Sequence, residues 1–334
     1  MKLNLILHVG IHKTGTTAIQ SFLSLNKELL KKHGFYFPQV DCIVENKPYH
    51  LREALLINNR HEYEEIINRI ITSAKDANCH TVILSDEDFQ IFAHKGNNNL
   101  GILKHFFNVE LLMYIRRQDR YSESAYGFSI LWYSSRTTIE PDNLLDLFPA
   151  LNYDYLLKRW ENLFGIDNIN LKVYDNLISN GDLINDFISL LNISTNEDWV
   201  KPTKDLSNIT FNKHILEFLK RINYIPFLYH EFEEIKKFLV TRSSIKHGPK
   251  AIFLNERLRK SLLEEVEISN CLVARRYFNR EELFFDNKIS SYMPPSLSEE
   301  SFLNVVSEIN QEFEGYIITD DIINNEKIRD IVLK

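Results

Sequence analysis

The stretch LHVGIHKTGTTAIQSFL, Leu7–Leu23, decides the fold. It grows out of a continuous apolar run, Leu3–Val9 (LNLILHV), which is the pattern of a strand buried on both faces. Gly10 ends that run. Past Gly15 the apolar residues Ala18, Ile19, Phe22, Leu25 and Leu29 recur at spacings of three and four, and His33-Gly34 supplies a stop. Strand, glycine loop and helix in that order open a parallel α/β arrangement.

The alternation repeats downstream. A helical stretch at Glu62–Ala77 precedes the apolar run Thr81–Leu84, and a helix at Leu100–Phe107 precedes a third strand, Leu111–Ile115. The spacing then predicts helices over Gln118–Trp132 and Tyr153–Phe164, a fourth strand at Asn170–Tyr174 and a helix at Leu177–Leu191. This order implies a three-layer α/β/α fold with a mostly parallel central sheet, whose ligands bind beyond the carboxyl ends of the strands. After about residue 195 the strand signal fades. Helices are expected at Ile209–Ile222, Phe232–Val240, Leu254–Tyr277 and Glu299–Phe313, with Met293-Pro294-Pro295 breaking the chain. The expected organisation is one domain over 1–334: an α/β nucleotide-binding core at 1–195 and a mainly helical extension at 196–334.

Composition narrows the function classes. The formal net charge of -7 gives no overall basic field, so no nucleic-acid partner is expected. Cys42, Cys79 and Cys271 form no CxxC pair and no zinc pattern, which suits a reducing, cytoplasmic setting. No apolar run approaches the ~20 residues that span a bilayer, so no membrane span is expected. No metal is required by the motifs.

The loop Gly10–Thr17 is suited to phosphate. A helix N-terminus offers unpaired N–H groups and positive potential, and Gly10 and Gly15 let the backbone turn closely around an anion. Lys13 adds a point charge, and Thr14, Thr16 and Thr17 add hydroxyls. The glycine spacing matches the triphosphate pattern G-x-x-x-x-G-K-[ST], but Thr16 stands where that pattern has lysine. The upstream Lys13 argues against a kinase or ATPase.

At this point HVGIHKTGTTAIQ resembles the bacterial sulfotransferase family, whose fold is P-loop NTPase-like and whose 5′-phosphosulfate loop carries K-[ST]-G-T-[ST]. The resemblance implies 3′-phosphoadenosine 5′-phosphosulfate as donor and adenosine 3′,5′-bisphosphate as product. Lys13 is then expected on the bridging and sulfuryl oxygens, and Thr14, Gly15, Thr16 and Thr17 on the 5′-phosphate. The family grips the 3′-phosphate with an arginine at a strand end and a serine eight residues on. MYIRRQDRYSESAYGF supplies Arg116 and Ser124 at that spacing, with Arg117 as rival. ARRYFNREELFF, Ala274–Phe285, resembles the family's terminal helix and makes Arg275 or Arg276 a weaker nucleotide contact.

Such transfer needs a group to accept a proton from the acceptor. The strand at Thr81 runs into SDEDF, whose adjacent carboxylates Asp86, Glu87 and Asp88 repel one another, which raises a pKa. The family shows S-S-E here, so Glu87 is the candidate base. Asp86 also fits the metal-holding aspartate of an NTPase. His50, in NKPYHLREALL, resembles an acceptor-side histidine, while His12 and His105 are weaker candidates. The acceptor is expected to be a small molecule or glycan, with a carbohydrate hydroxyl first by analogy. A nucleotide-binding protein without transfer activity, or a small-molecule kinase using ATP, stays open. Oligomeric state is not legible.

Overall fold

The computed structural model describes residues 2–38, 46–131, 151–178, 183–195, 197–202, 211–223, 229–285 and 292–313. By its contacts the chain divides into two compact units. The first comprises Met1–Gln118, Phe148–Thr203 and Glu265–Asn287; the second comprises Asp119–Leu147, Lys204–Glu264 and Lys288–Lys334.

The first unit holds a five-stranded, all-parallel sheet in the order β2-β3-β1-β4-β5. Its strands are β1 (Leu3–His8), β2 (Phe35–Tyr36), β3 (Thr81–Ser85), β4 (Phe107–Ile115) and β5 (Ile169–Val173). With helices on both faces, this is the three-layer α/β/α architecture. β1 is central: β3 and then β2 extend the sheet on one side, β4 and then β5 on the other. The strand order therefore reverses at β1, where sheets of this kind bind ligands.

Side-chain alternation assigns the two faces. Ile6, Ile83, Leu112 and Tyr114 pack with Ile19, Phe22 and Leu23 of α1 (Thr16–Leu25), Leu30 of α2 (Lys27–Lys32) and Phe187. Their neighbours Leu5, Leu7, Val82, Leu84, Leu111 and Met113 are buried outside that cluster. Further helices of this unit are α3 (Tyr49–Leu56), α4 (Arg60–Asp76), α5 (Gln90–Lys95) and α6 (Leu103–Phe106).

The single helix expected from Ala18 to His33 is two. Asn26, buried, donates its side-chain amide to the Phe22 and Val200 carbonyls and accepts from the Val200 N–H. A side chain that bonds its own backbone competes with helix continuation. The break shifts the helical phase: Leu25, expected inside, is exposed, and Leu30 rather than Leu29 is buried. The two-residue β2 and helices α3 and α5 carry no periodicity long enough to predict. The stretch expected as one helix at Leu177–Leu191 is Tyr174–Ile178 and Leu183–Leu190, with 179–182 outside the described residues.

The second unit takes in α7 (Gln118–Leu131) from Asp119 onward. Arg259 is 3% exposed and donates to Asp119 and Glu123 of α7, both at 2.7 Å; Glu123 also accepts the N–H groups of Phe253 and Leu254. Helices Lys213–Ile222, Tyr229–Thr241 and Glu299–Glu312 fall close to their expected bounds; the start expected at Ile209 lies outside the described residues. The Phe218 and Phe302 rings lie 5.0 Å apart in this unit's core. Met293, expected as a chain break, pairs antiparallel with Ile252.

Candidate active site

The site is built on the carboxyl edge of the first unit's sheet. β1 delivers the loop Gly10–Gly15, and α1 begins directly after it. Two residues of the loop are left-handed, Lys13 at φ 68° and Gly15 at φ 82°. Gly15 is required twice over. Its φ disfavours any side chain, and a Cβ there would meet Leu183 at 2.3 Å and Tyr174 at 3.1 Å. Gly10 is equally confined, since a Cβ would meet Thr16 Oγ1 at 2.6 Å.

Three of the loop's carbonyls are already taken. Gln90 Nε2 donates to the Gly10 carbonyl, and the N–H and hydroxyl of Thr14 both reach the Ile11 carbonyl. Arg116 Nη1 donates to the Lys13 carbonyl at 3.0 Å. Meanwhile the first amides of α1 have no partner within the helix by construction. With carbonyls turned to protein donors and amides left over, the loop favours an anion.

The register explains why Arg116 meets the tip of the loop and not its base. His8 of β1 pairs with Leu112 of β4. Arg116 lies four residues further on, roughly 13 Å along the strand direction. There its guanidinium also stacks on the Tyr174 ring, 5.6 Å from the centroid, and its Nε is buried without a partner. Arg117, the rival, uses its backbone N–H on Asp175 and is itself buried. Ser124 is half-buried on α7 and belongs to the second unit.

The threonines play different parts from one another. Thr14 is buried and braces the loop, whereas Thr17 is exposed. Thr16 is buried with its hydroxyl unpartnered. Beside it His8, fully buried, bonds Ser85 Oγ through Nδ1 at 2.8 Å and leaves Nε2 unpartnered. Burial pushes the His8 imidazole down to about 4, against the opposing influence of Glu87. It is therefore neutral at physiological pH. Lys13 is pulled down to about 8, chiefly by burial; Glu87 opposes this shift and Arg116 adds to it.

β3 lies beside β1 and ends in the acidic turn. Asp86 is fully buried and takes Arg52 Nη1 at 2.6 Å. Burial nevertheless raises its carboxyl to about 6, with Arg52 opposing. Asp88 takes Arg52 at 2.9 Å and His12 at 3.3 Å, and is lowered to about 2, first by the His12 hydrogen bond. Glu87 is held on both oxygens: Lys47 Nζ donates to Oε1 at 2.6 Å and Gln20 Nε2 to Oε2 at 3.2 Å. Lys13, Arg116 and Glu87 are thus one electrostatic neighbourhood.

Arg52 belongs to α3, so the same ion pairs tie α3 to the acidic turn. His50 sits in the first turn of α3, exposed and edge-on to the Tyr49 ring. His105 is exposed on α6, which precedes β4 and so lies at the opposite, amino edge of the sheet. Arg276 is held by Asp154 and Glu161, and Arg275 by Glu281. Lys47, Gln20, Arg52, Tyr174 and His8 escaped the sequence reading. Gln20 lies within the quoted loop–helix stretch and Lys47 within the one around His50, but spacing alone does not pair either with Glu87.

Among the described residues no group of three or more His, Cys, Asp or Glu side chains is arranged to hold a metal, and no helix is long and apolar enough to cross a membrane. No family model and no curated protein matches the chain. Among solved structures it is similar to a sulfotransferase from Alicyclobacillus acidocaldarius, at 16% identity and a TM-score of 0.40, over 61% of this chain and 86% of that one. A similarity this distant says nothing about substrate.

Proposed function

We propose that the protein is a sulfotransferase that moves a sulfuryl group from 3′-phosphoadenosine 5′-phosphosulfate to an acceptor hydroxyl. The observation that carries this reading is the meeting of three groups at the reversal point of the sheet. A cation, Lys13, stands upstream of the loop's second glycine; a second cation, Arg116, is hydrogen-bonded to that loop; and a carboxylate, Glu87, in the turn after the neighbouring strand, lies near enough to act on the charge of Lys13. A triphosphate site would place lysine at position 16, where Thr16 is buried.

In this reading the loop amides and Thr17 hold the 5′-phosphate. Lys13 neutralises the bridging oxygen as the S–O bond to the leaving phosphate breaks. Glu87 takes the proton from the acceptor as its oxygen bonds to sulfur. Arg116 has one nitrogen on the loop and an unpartnered buried Nε, and takes the 3′-phosphate. His50 lines the acceptor side. A carbohydrate hydroxyl is the first acceptor class to screen.

Calorimetry with adenosine 3′,5′-bisphosphate, set against ATP with magnesium, tests the donor; tight ATP binding with no response to the bisphosphate rejects it in favour of a kinase. Transfer of labelled sulfate to a panel of glycans and small alcohols tests the reaction. Glu87→Gln is expected to lower that rate by about a hundredfold or more while leaving bisphosphate affinity within about twofold.

A further inference from the structure

Glu87 poses a chemical problem as a base, because each of its oxygens already accepts a donor, and a charged donor that stays on Oε1 opposes protonation there. Gln20 holds Oε2 and Lys47 holds Oε1. The two holders differ in kind. Gln20 is 3% exposed, sits on α1 and bonds the Ser85 carbonyl with the same nitrogen, at 3.1 Å. It is a fixed clamp. Lys47 carries its ammonium on a long flexible stem, and that ammonium is also 3.8 Å from Asp88 and 4.0 Å from Asp86. An ammonium leaving Glu87 therefore has a second carboxylate within reach and is not stranded in a low-dielectric site.

We infer that Lys47 is a displaceable counterion of Glu87, and that the acceptor hydroxyl takes its place on Oε1 during the reaction, while Gln20 keeps the carboxylate aimed. The inference rests on the reading of Glu87 as base. The acceptor O–H bond breaks and its proton goes to Oε1. The acceptor oxygen bonds to sulfur, and the bridging S–O bond breaks toward the 5′-phosphate. Lys47 meanwhile moves to Asp88, so its ammonium keeps a carboxylate partner throughout. The charged and titratable groups that face Glu87 are Lys47 ahead of α3, Lys13 in the loop and His8 of β1. Asp86 and Asp88 flank it in the turn, held by Arg52 and His12.

Two measurements test this together. The first is the pH dependence of kcat/KM for sulfate transfer in wild type, Lys47→Met and Lys47→Arg. Loss of the counterion is expected to move the acid limb up by about one pH unit, and the conservative arginine to return it close to wild type. A merely structural role lowers the rate in parallel at every pH, and that result overturns the inference. The second needs no turnover: the acetylation rate of the Lys47 amine, read by mass spectrometry in wild type and Glu87→Gln. Burial works against the Lys47 ammonium, and Glu87, ahead of Asp86 and Asp88, outweighs it and keeps it protonated, so labelling is expected to rise several-fold in the variant. Unchanged labelling overturns the inference whatever the enzyme transfers. Raised labelling in a protein that transfers no sulfate removes the reaction, and Lys47's part in it, but leaves the ion pair.

Discussion

The loop after β1 and the turn after β3 are neighbours, joined by the pairing of His8 with Ser85, yet they are finished in opposite ways. In the loop three backbone acceptors are consumed: the carbonyls of Gly10, Ile11 and Lys13 each receive a protein donor. What remains is amide N–H and positive charge, with two cations close enough that Arg116 depresses Lys13. In the turn each of the three carboxylates has a cationic partner, Lys47 for Glu87 and Arg52 for both Asp86 and Asp88. The loop is incomplete without an anion, and the turn is complete as it stands. Changes in the loop should therefore cost function, and changes to the buried Arg52–Asp86 pair of the turn should cost stability, with Glu87 the member of the turn whose loss costs turnover.

The largest expected effect breaks the loop side. Lys13→Met should lower sulfate transfer by about a thousandfold, as loss of one preorganised charge does at a developing anion. Its urea unfolding midpoint should be unchanged or higher, because a half-buried ammonium that is partly desolvated is removed. Next, Arg52→Met breaks the turn side. Arg52 is the partner of the fully buried Asp86, and removing one member of a buried pair costs about 3 kcal/mol. The pH sign sharpens this. Asp86 binds its proton more tightly folded, near 6, than unfolded, near 3.8, so its contribution falls as pH rises through that window. The stability lost in Arg52→Met should accordingly be greater at pH 8 than at pH 5 in urea titrations.

Smaller effects probe the two cations separately. Arg116→Ala should weaken adenosine 3′,5′-bisphosphate by about tenfold to a hundredfold in calorimetry, and weaken adenosine 5′-phosphate much less, if the arginine serves the 3′ end. Equal losses for both ligands would move Arg116 to the 5′ end. The gentlest probe is pH. Lys13 in the free protein titrates near 8, and a bound anion keeps it charged, so bisphosphate affinity should hold from pH 6.5 to 7.5. Above pH 8 it should fall by up to about tenfold per unit. Lys13→Met should abolish that slope.

The same contrast shows what one dimension reveals. The loop was legible because its parts are contiguous: a buried strand, two glycines, a lysine and a helix start lie within seventeen residues. The carboxylates of the turn were legible as chemistry but not as a circuit. Their partners come from position 12, from positions 47 and 52 across a stretch with no period, and from Gln20 on a helix face. In the fold, the parallel alternation was readable because each central strand is a continuous apolar run. β2 was not, since two residues show no pattern, and they are placed by Gly34, whose carbonyl receives the N–H groups of His80 and Thr81. The break at Asn26 depends on a partner at Val200, which no local reading supplies.

The left-handed backbone at Lys13 has a consequence for anyone selecting variants of this protein. Position 13 holds a φ of 68°, which glycine occupies without strain and lysine only at a cost of about 1 kcal/mol. A library sorted for thermal resistance alone should thus enrich Lys13→Gly, a sturdier molecule stripped of its charge. Durability and activity would part company at that residue, and a screen blind to turnover would favour the inert form.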